Sequence, residues 1–271
     1  AIEIIYNFCS SFLSKKQVLI PVPTFGEYES ASKLANCKIT FFKTMNIAEN
    51  FDSFISKIPR NGCVFICNPN NPTGTLLSKN QLTKIILSAK HKSSFVFIDE
   101  CFIELVPKSN QSVLNLVKKY DNLFVLRSLT KSFGLAGIRI GYAAASKQII
   151  DILKKIKIPW SVNTLAQEAG IVAIKNTSHI KKSKSVIKKE FNFLKSHIDN
   201  IPNFECYDSS TNFILIKIKQ DSTKLQKKLL KHKILIRDCK NFRGLNNHFI
   251  RIAIKSHKDN LKLVRVLEKI S

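Results

Sequence analysis

Three short apolar runs, Val64-Phe65-Ile66-Cys67, Phe95-Val96-Phe97-Ile98 and Leu123-Phe124-Val125-Leu126, show no alternation of polar and apolar residues. A strand with one wet face alternates, whereas a strand without alternation is covered on both faces. Helical stretches separate these runs. Ser78 and Gln81 stand at capping-box spacing, and Leu82, Ile85, Ile86 and Ala89 follow on one helical face. Further strand-like runs lie at 18–22, 39–42 and 138–143. Buried strands alternating with helices predict an α/β fold with a mostly parallel sheet covered by helices on both faces.

Each run stops at groups that do not belong in a core. Val64–Cys67 ends in Asn68-Pro69-Asn70-Asn71-Pro72-Thr73-Gly74, the second run in Asp99-Glu100, and the third in Arg127-Ser128-Leu129-Thr130-Lys131. Open α/β sheets bind ligands just outside the carboxyl ends of their strands. Asn71, Asp99 and Lys131, distant in sequence, are therefore expected to meet at one site.

Lys131 sits between Thr130 and Ser132, with Ser128 before it and Arg139 eight positions after it. A lysine beside an apolar wall and a second cation can lose enough basicity to act as a nucleophile. Hydroxyls and a guanidinium hold phosphate. An amine nucleophile in a phosphate cradle points to pyridoxal phosphate carried as a Schiff base. The competing reading is a solvated loop lysine. Asp99 pairs with the protonated pyridine nitrogen of such a cofactor, or caps a helix or joins a structural ion pair. Asn71 bonds the ring hydroxyl, or only serves the turn chemistry of its Asn- and Pro-rich loop. Phe25, after Pro23-Thr24, stacks on the ring or fills the core. Arg237 and Arg251 lie among β-branched and apolar neighbours in strand-like runs. They grip a carboxylate and a phosphate, or face solvent.

The chain has 271 residues, 44% of them hydrophobic, enough for a sizeable core in one or two domains. No apolar run approaches a membrane span, and no signal peptide opens the chain. Seven scattered cysteines are read as reduced core thiols of a cytoplasmic protein, with no metal site and no disulfide framework. The formal charge of +25 raises nucleic-acid binding or a non-catalytic basic binding protein. The lysines are spread over helix faces without aromatic partners, so a small anionic, phosphorylated substrate suits the field better. Ile4, Ile5, Phe8 and Phe12 recur at helical spacing from the first residues, so the natural beginning is expected to lie upstream. A long helix from about 178 to 200 opens the last part of the chain. A large domain is expected over residues 1–177 and a small α+β domain over 178–271, with strands at 213–218, 234–236 and 249–254.

Through Asn68-Pro69-Asn70-Asn71-Pro72-Thr73-Gly74, Asp99-Glu100, Ser128-x-x-Lys131 and Arg139, the chain resembles class I/II aminotransferases of fold type I along its whole length. The resemblance implies Lys131 as the Schiff-base lysine and Asp99 as the pyridinium partner. It implies Asn71 at the ring hydroxyl, Phe25 on the ring face, and Ser128, Thr130 and Arg139 at the cofactor phosphate. It implies Arg251 at the substrate carboxylate, Arg237 at a substrate phosphate, Asn163 beside the substrate, and a homodimer. A Gly-rich loop ending in Thr-Glu is implied just upstream of residue 1.

Within that superfamily the chain is similar to the histidinol-phosphate aminotransferase branch and, more closely, to the L-threonine-O-3-phosphate decarboxylase branch. Carriers of the second likeness are Val125-Leu126-Arg127-Ser128-Leu129-Thr130-Lys131, Pro159-Trp160-Ser161-Val162-Asn163, Ile234-Leu235-Ile236-Arg237-Asp238-Cys239 and Asn241-Phe242-x-Gly244-Leu245. Phe102, where most aminotransferases have Tyr, adds to them. Phe133-Gly134-Leu135-Ala136-Gly137 looks like the aminotransferase branch. The resemblance implies decarboxylation of L-threonine O-3-phosphate to 1-amino-2-propanol O-2-phosphate in cobalamin biosynthesis, with histidinol-phosphate-type transamination as the alternative.

Overall fold

The computed structural model describes residues 1–107 and 110–270. The chain begins with α1 (Ile2–Phe12), β1 (Gln17–Val22), α2 (Glu27–Leu34), β2 (Lys38–Lys43), α3 (Phe51–Ser56) and β3 (Cys63–Cys67). It continues through α4 (Lys79–His91), β4 (Phe95–Asp99), β5 (Leu123–Ser128), α5 (Leu129–Ser132), β6 (Gly141–Ala144), α6 (Lys147–Ile156) and α7 (Thr164–Lys175). The first sheet has the order β2-β1-β3-β4-β5-β6. All its pairings are parallel except the last, where β6 runs against β5. The unalternating runs thus form the parallel centre, as their composition requires. The edge strand is shorter than the run at 138–143, because Arg139 takes φ 64° and turns the chain before Gly141.

Alternate residues of these strands enter two separate cores. Phe65, Phe97 and Phe124 face α1, α2 and α6, while Val64, Ile66, Val96 and Ile98 face α3 and α4. Phe8 of α1 caps the first face, its ring 4.7 Å from Phe124 and 5.0 Å from Phe97. The aromatic strip makes this face rigid, since tilted and edge-on rings interlock beyond the value of their buried area.

The remainder comprises α8 (Thr177–Ile198), β7 (Phe204–Cys206), β8 (Phe213–Ile218), α9 (Ser222–Lys231), β9 (Arg237–Asp238), β10 (Phe249–Ala253) and α10 (His257–Ile270). Its sheet is antiparallel, in the order β7-β8-β10-β9, with its buried residues packed on α8, α9 and α10. The run at 234–236 is not a strand. Leu235 points to solvent, and the Ile236 carbonyl accepts from the Gln226 side chain (2.8 Å) instead of pairing with a strand. Pairing starts only at Arg237.

The two sheets are tied across the space between them. Arg243 donates two hydrogen bonds to Glu29 of α2, both 2.7 Å, and lies over the Phe41 ring. Ser210 N donates to the Gly74 carbonyl (2.8 Å). Gly74 has φ 74°, and a Cβ there would lie 2.3 Å from Ser209 Oγ, so only glycine fits the contact. Arg243 holds the Glu29 carboxyl down to about 2 from its usual value near 4.5. A carboxyl with a depressed folded pKa stabilises above its unfolded pKa and loses that contribution as pH falls toward the folded one. Glu29→Gln is therefore expected to melt below the parent at neutral pH. The gap between the two melting temperatures should close between about pH 4.5 and about 2. A gap that stays constant over that window would show that the ion pair contributes nothing.

Candidate active site

The parallel sheet opens at its carboxyl edge onto a cleft of about 1160 Å³, which the β9–β10 region faces from the other side. The chain leaves β1 toward β2 on one side and enters β3 on the other, so β1 and β3 flank the switch point where α/β sheets bind ligands. Thr24 and Phe25 reach the cleft from the end of β1, Asn71 from β3, Asp99 from β4, and Ser128, Thr130 and Lys131 from β5. Arg139, Arg237 and Arg251 complete the set. Nine of the ten residues singled out from sequence thus line one cavity: Lys131, Asp99, Asn71, Phe25, Ser128, Thr130, Arg139, Arg237 and Arg251. The tenth, Asn163, is exposed and spends its side chain capping α7, accepting from Ala166 N (2.8 Å). Its neighbour Ser161 lines the cleft instead.

Asp99 is 4% exposed. Its Oδ2 accepts from the Tyr28 hydroxyl (2.7 Å) and its Oδ1 from Cys101 N (2.8 Å). Among the described residues no salt bridge reaches it. A buried carboxylate with two hydrogen bonds and no cation is suited to a cationic ligand.

Lys131 lies in the single turn α5, exposed to the cleft. Ser128 caps that turn, accepting from Thr130 N at 3.3 Å, and its hydroxyl lies 2.8 Å from that of Thr130. The two hydroxyls line the cleft, as does Arg139, whose guanidinium donates to the Ala136 carbonyl (2.8 Å). Phe25 supplies an apolar wall, edge-on to Tyr28 at 5.7 Å between centroids. Asn71 Oδ1 accepts from Arg251, which leaves its amide nitrogen as a donor. Arg251 is half-buried over the Phe213 ring at 4.7 Å, and burial pushes its pKa below the ordinary value. Arg237 stands directly opposite Arg251 in the β9–β10 ladder and donates to Asn241 (2.9 Å).

These residues fit pyridoxal phosphate. An uncompensated buried carboxylate lies at the floor for a protonated ring nitrogen, with a donor amide at the side and an aromatic wall. Hydroxyls, an arginine and an amine line the same cleft, the groups that a phosphate and a Schiff base call for.

Sequence reading missed the residues that hold this set in place. Tyr28 looks like one more core aromatic by its spacing. Arg127 is buried under α5, where its Nε donates to Glu100 (2.8 Å) and its Nη2 to Ser112 (2.7 Å), and a third bond reaches Glu104. Glu104 in turn accepts from Ser132 (3.0 Å), the residue after Lys131. Two charged residues at adjacent strand ends, Glu100 and Arg127, were the available signal. Burial pushes the Glu100 carboxyl up, against the pull of Arg127. Removing one partner of a buried pair leaves the other uncompensated, at a cost of roughly 3–5 kcal/mol. Arg127→Met is therefore expected to lower unfolding stability by about that much. Arg127→Met with Glu100→Leu should recover most of the loss, as read by urea denaturation.

A family model described as aminotransferase class I and II matches residues 1–270. A curated protein of Caldanaerobacter subterraneus subsp. tengcongensis, named "Putative threonine-phosphate decarboxylase", is 38% identical over 272 residues, covering 98% of this chain and 74% of the relative. The crystal structure of histidinol-phosphate aminotransferase from Clostridium acetobutylicum superposes with a TM-score of 0.88 at 33% identity, over 100% of this chain and 81% of that one. The crystal structure of L-threonine-O-3-phosphate decarboxylase from Porphyromonas gingivalis gives 0.88 at 25% identity, over 99% and 80%. With the cleft, the lysine and the buried carboxylate in their places, the chain belongs to the class I and II aminotransferase family of fold type I, whose members depend on pyridoxal phosphate.

Proposed function

We propose that this protein decarboxylates L-threonine O-3-phosphate, releasing carbon dioxide and 1-amino-2-propanol O-2-phosphate. The observation that carries the proposal is the arginine pair. Arg237 and Arg251 stand directly opposite each other across two antiparallel strands and both face the cleft. Like charges in that position repel, so the arrangement is suited to a ligand with two anionic groups. Threonine phosphate carries a carboxylate and a phosphate at opposite ends. The relative at 38% identity supports the same substrate.

Pyridoxal phosphate, when bound, supplies an electron sink for a bond at the substrate's α-carbon. Lys131 would hold it covalently, Asp99 would face its ring nitrogen, and Asn71 would donate to its hydroxyl. Phe25 would cover the ring, and Ser128, Thr130 and Arg139 would bind its phosphate. The arginines then decide the outcome. Arg251 grips the substrate carboxylate and Arg237 the distal phosphate, and together they fix rotation about the α-carbon. That rotation would select which α-carbon bond gives up its electrons, the one to the carboxylate or the one to hydrogen, and the Lys131 amine would be the group to take the proton in the second case. Phe102, edge-on to Phe213 at 5.3 Å, brings no hydroxyl to this part of the cleft.

The second reading is transamination of histidinol phosphate. The solved aminotransferase at 33% identity favours it, and the two carboxylates of a 2-oxo diacid would occupy the same arginine pair. The proposal also takes residues 1–177 and 178–271 as the large and small domains of a cytoplasmic homodimer, with the corrinoid side chain as the product's destination.

Supplied with carboxyl-labelled threonine phosphate, the protein is expected to release labelled carbon dioxide and form no glutamate from 2-oxoglutarate. Glutamate formation from histidinol phosphate without carbon dioxide from threonine phosphate would replace the first reading by the second. Loss of a charge-assisted fork to a buried anion costs roughly 2–5 kcal/mol. Arg237→Ala should therefore lower kcat/KM for threonine phosphate at least about 30-fold and leave that for threonine nearly unchanged. An equal loss on both substrates would remove Arg237 from the phosphate site.

A further inference from the structure

Tyr28 is fully buried in α2, and its hydroxyl donates to Asp99 at 2.7 Å, beside the weaker thiol donor of Cys101. Its ring is locked from two sides. It stacks on Phe65 of β3 at 5.2 Å and 14°, and Phe25 meets it edge-on at 5.7 Å and 82°. The hydroxyl therefore has little freedom to leave Oδ2. One side chain thus touches both the carboxylate at the cleft floor and the aromatic wall above it.

This placement has a consequence for the charge on Asp99. A carboxylate that accepts a hydrogen bond in a buried site is held in its ionised form. Without that donor its proton affinity rises. A proton shared between Asp99 and a ring nitrogen can rest on either partner, and a more basic carboxylate draws it away from the ring. We infer that Tyr28 is a positioning residue that acts through Asp99, lowering its basicity so that the shared proton stays on the cofactor's ring nitrogen. The inference rests on the proposed pairing of Asp99 with that nitrogen. Tyr28 itself donates and does not ionise, since burial and the neighbouring Asp99 push its pKa up. The other polar neighbours are a backbone N–H and two thiols, which are weak donors. Cys101 N engages Oδ1 with its own thiol beside the carboxylate, and the Cys67 thiol, next to the Tyr28 hydroxyl, lies on the Pro69 carbonyl at 3.2 Å.

The test reads the nitrogen directly, by nuclear magnetic resonance of holoenzyme loaded with pyridoxal phosphate labelled with ¹⁵N in the ring. Tyr28→Phe keeps the stacked ring and removes only the donor. It is expected to displace the resonance from the pyridinium position toward that of neutral pyridine. Asp99→Asn should displace it further, and adding Tyr28→Phe to Asp99→Asn should change nothing more. Growth on 3-fluorotyrosine makes the phenol a stronger donor within almost the same volume. It should hold the resonance at the pyridinium position to higher pH than in the parent, and it serves if Tyr28→Phe does not fold. A resonance unmoved by both changes to Tyr28 while Asp99→Asn shifts it would overturn the role of Tyr28 alone. A resonance unmoved by Asp99→Asn would overturn the pairing of Asp99 itself.

Discussion

A carboxylate at the end of a buried parallel strand has to be satisfied, and the arrangement around Asp99 follows from that requirement. Asp99 closes β4, between two strands that are themselves buried, and is almost inaccessible to solvent. Burial of an ion without partners costs several kcal/mol, so each oxygen is given a donor. One comes from the backbone two residues on, and the other from a tyrosine on a helix that the first sheet face would bury in any case. Neither donor is a cation. Among the described residues Asp99 therefore has no ion-pair partner, which suits it to a cationic group of a ligand.

Lys131 is placed by a second buried arrangement of a different kind. Arg127 is the last charged group of β5 before the one-turn helix that bears the lysine. Its guanidinium is shared among Glu100, Ser112 and Glu104, and Glu104 continues the chain of bonds to Ser132. A single turn of helix has too few internal hydrogen bonds to hold its own orientation. The network below supplies what the helix lacks, and connects the lysine to the same strand end that carries Asp99.

The second sheet brings the arginines. Arg237 and Arg251 face each other across adjacent strands, and Asn71 and the Phe213 ring engage Arg251 from either side. Contacts join the two parts at Arg243 with Glu29, Gly74 with Ser209 and Ser210, and Phe102 with Phe213, and of these Arg243, Glu29 and Phe102 line the cleft. A small shift between the sheets would therefore move the two arginines relative to Lys131 and Asp99. Under the proposed function, the position of a substrate carboxylate would be set by the same contacts that hold the two parts together.

The parallel sheet, the edge at which ligands bind, and the lysine, carboxylate and asparagine at that edge were all determined by the sequence alone. Strands buried on both faces must be continuously apolar, and the first polar residue after each marks where it emerges. Tyr28 was not legible, because a tyrosine at helical spacing reads as core, and only the packing of α2 on β3 and β4 shows its hydroxyl against Asp99. Asn163 was misleading for a related reason: an asparagine before a helix is claimed by the nearest backbone N–H groups, and here it serves as a cap. The strand at 234–236 failed because an extended apolar run needs a partner with free backbone groups, and a glutamine from α9 had taken the acceptor. The facing of Arg237 and Arg251, fourteen residues apart, depends on the register of two strands. Register is set by turn geometry and by which faces find a core, so only the tertiary structure decided it.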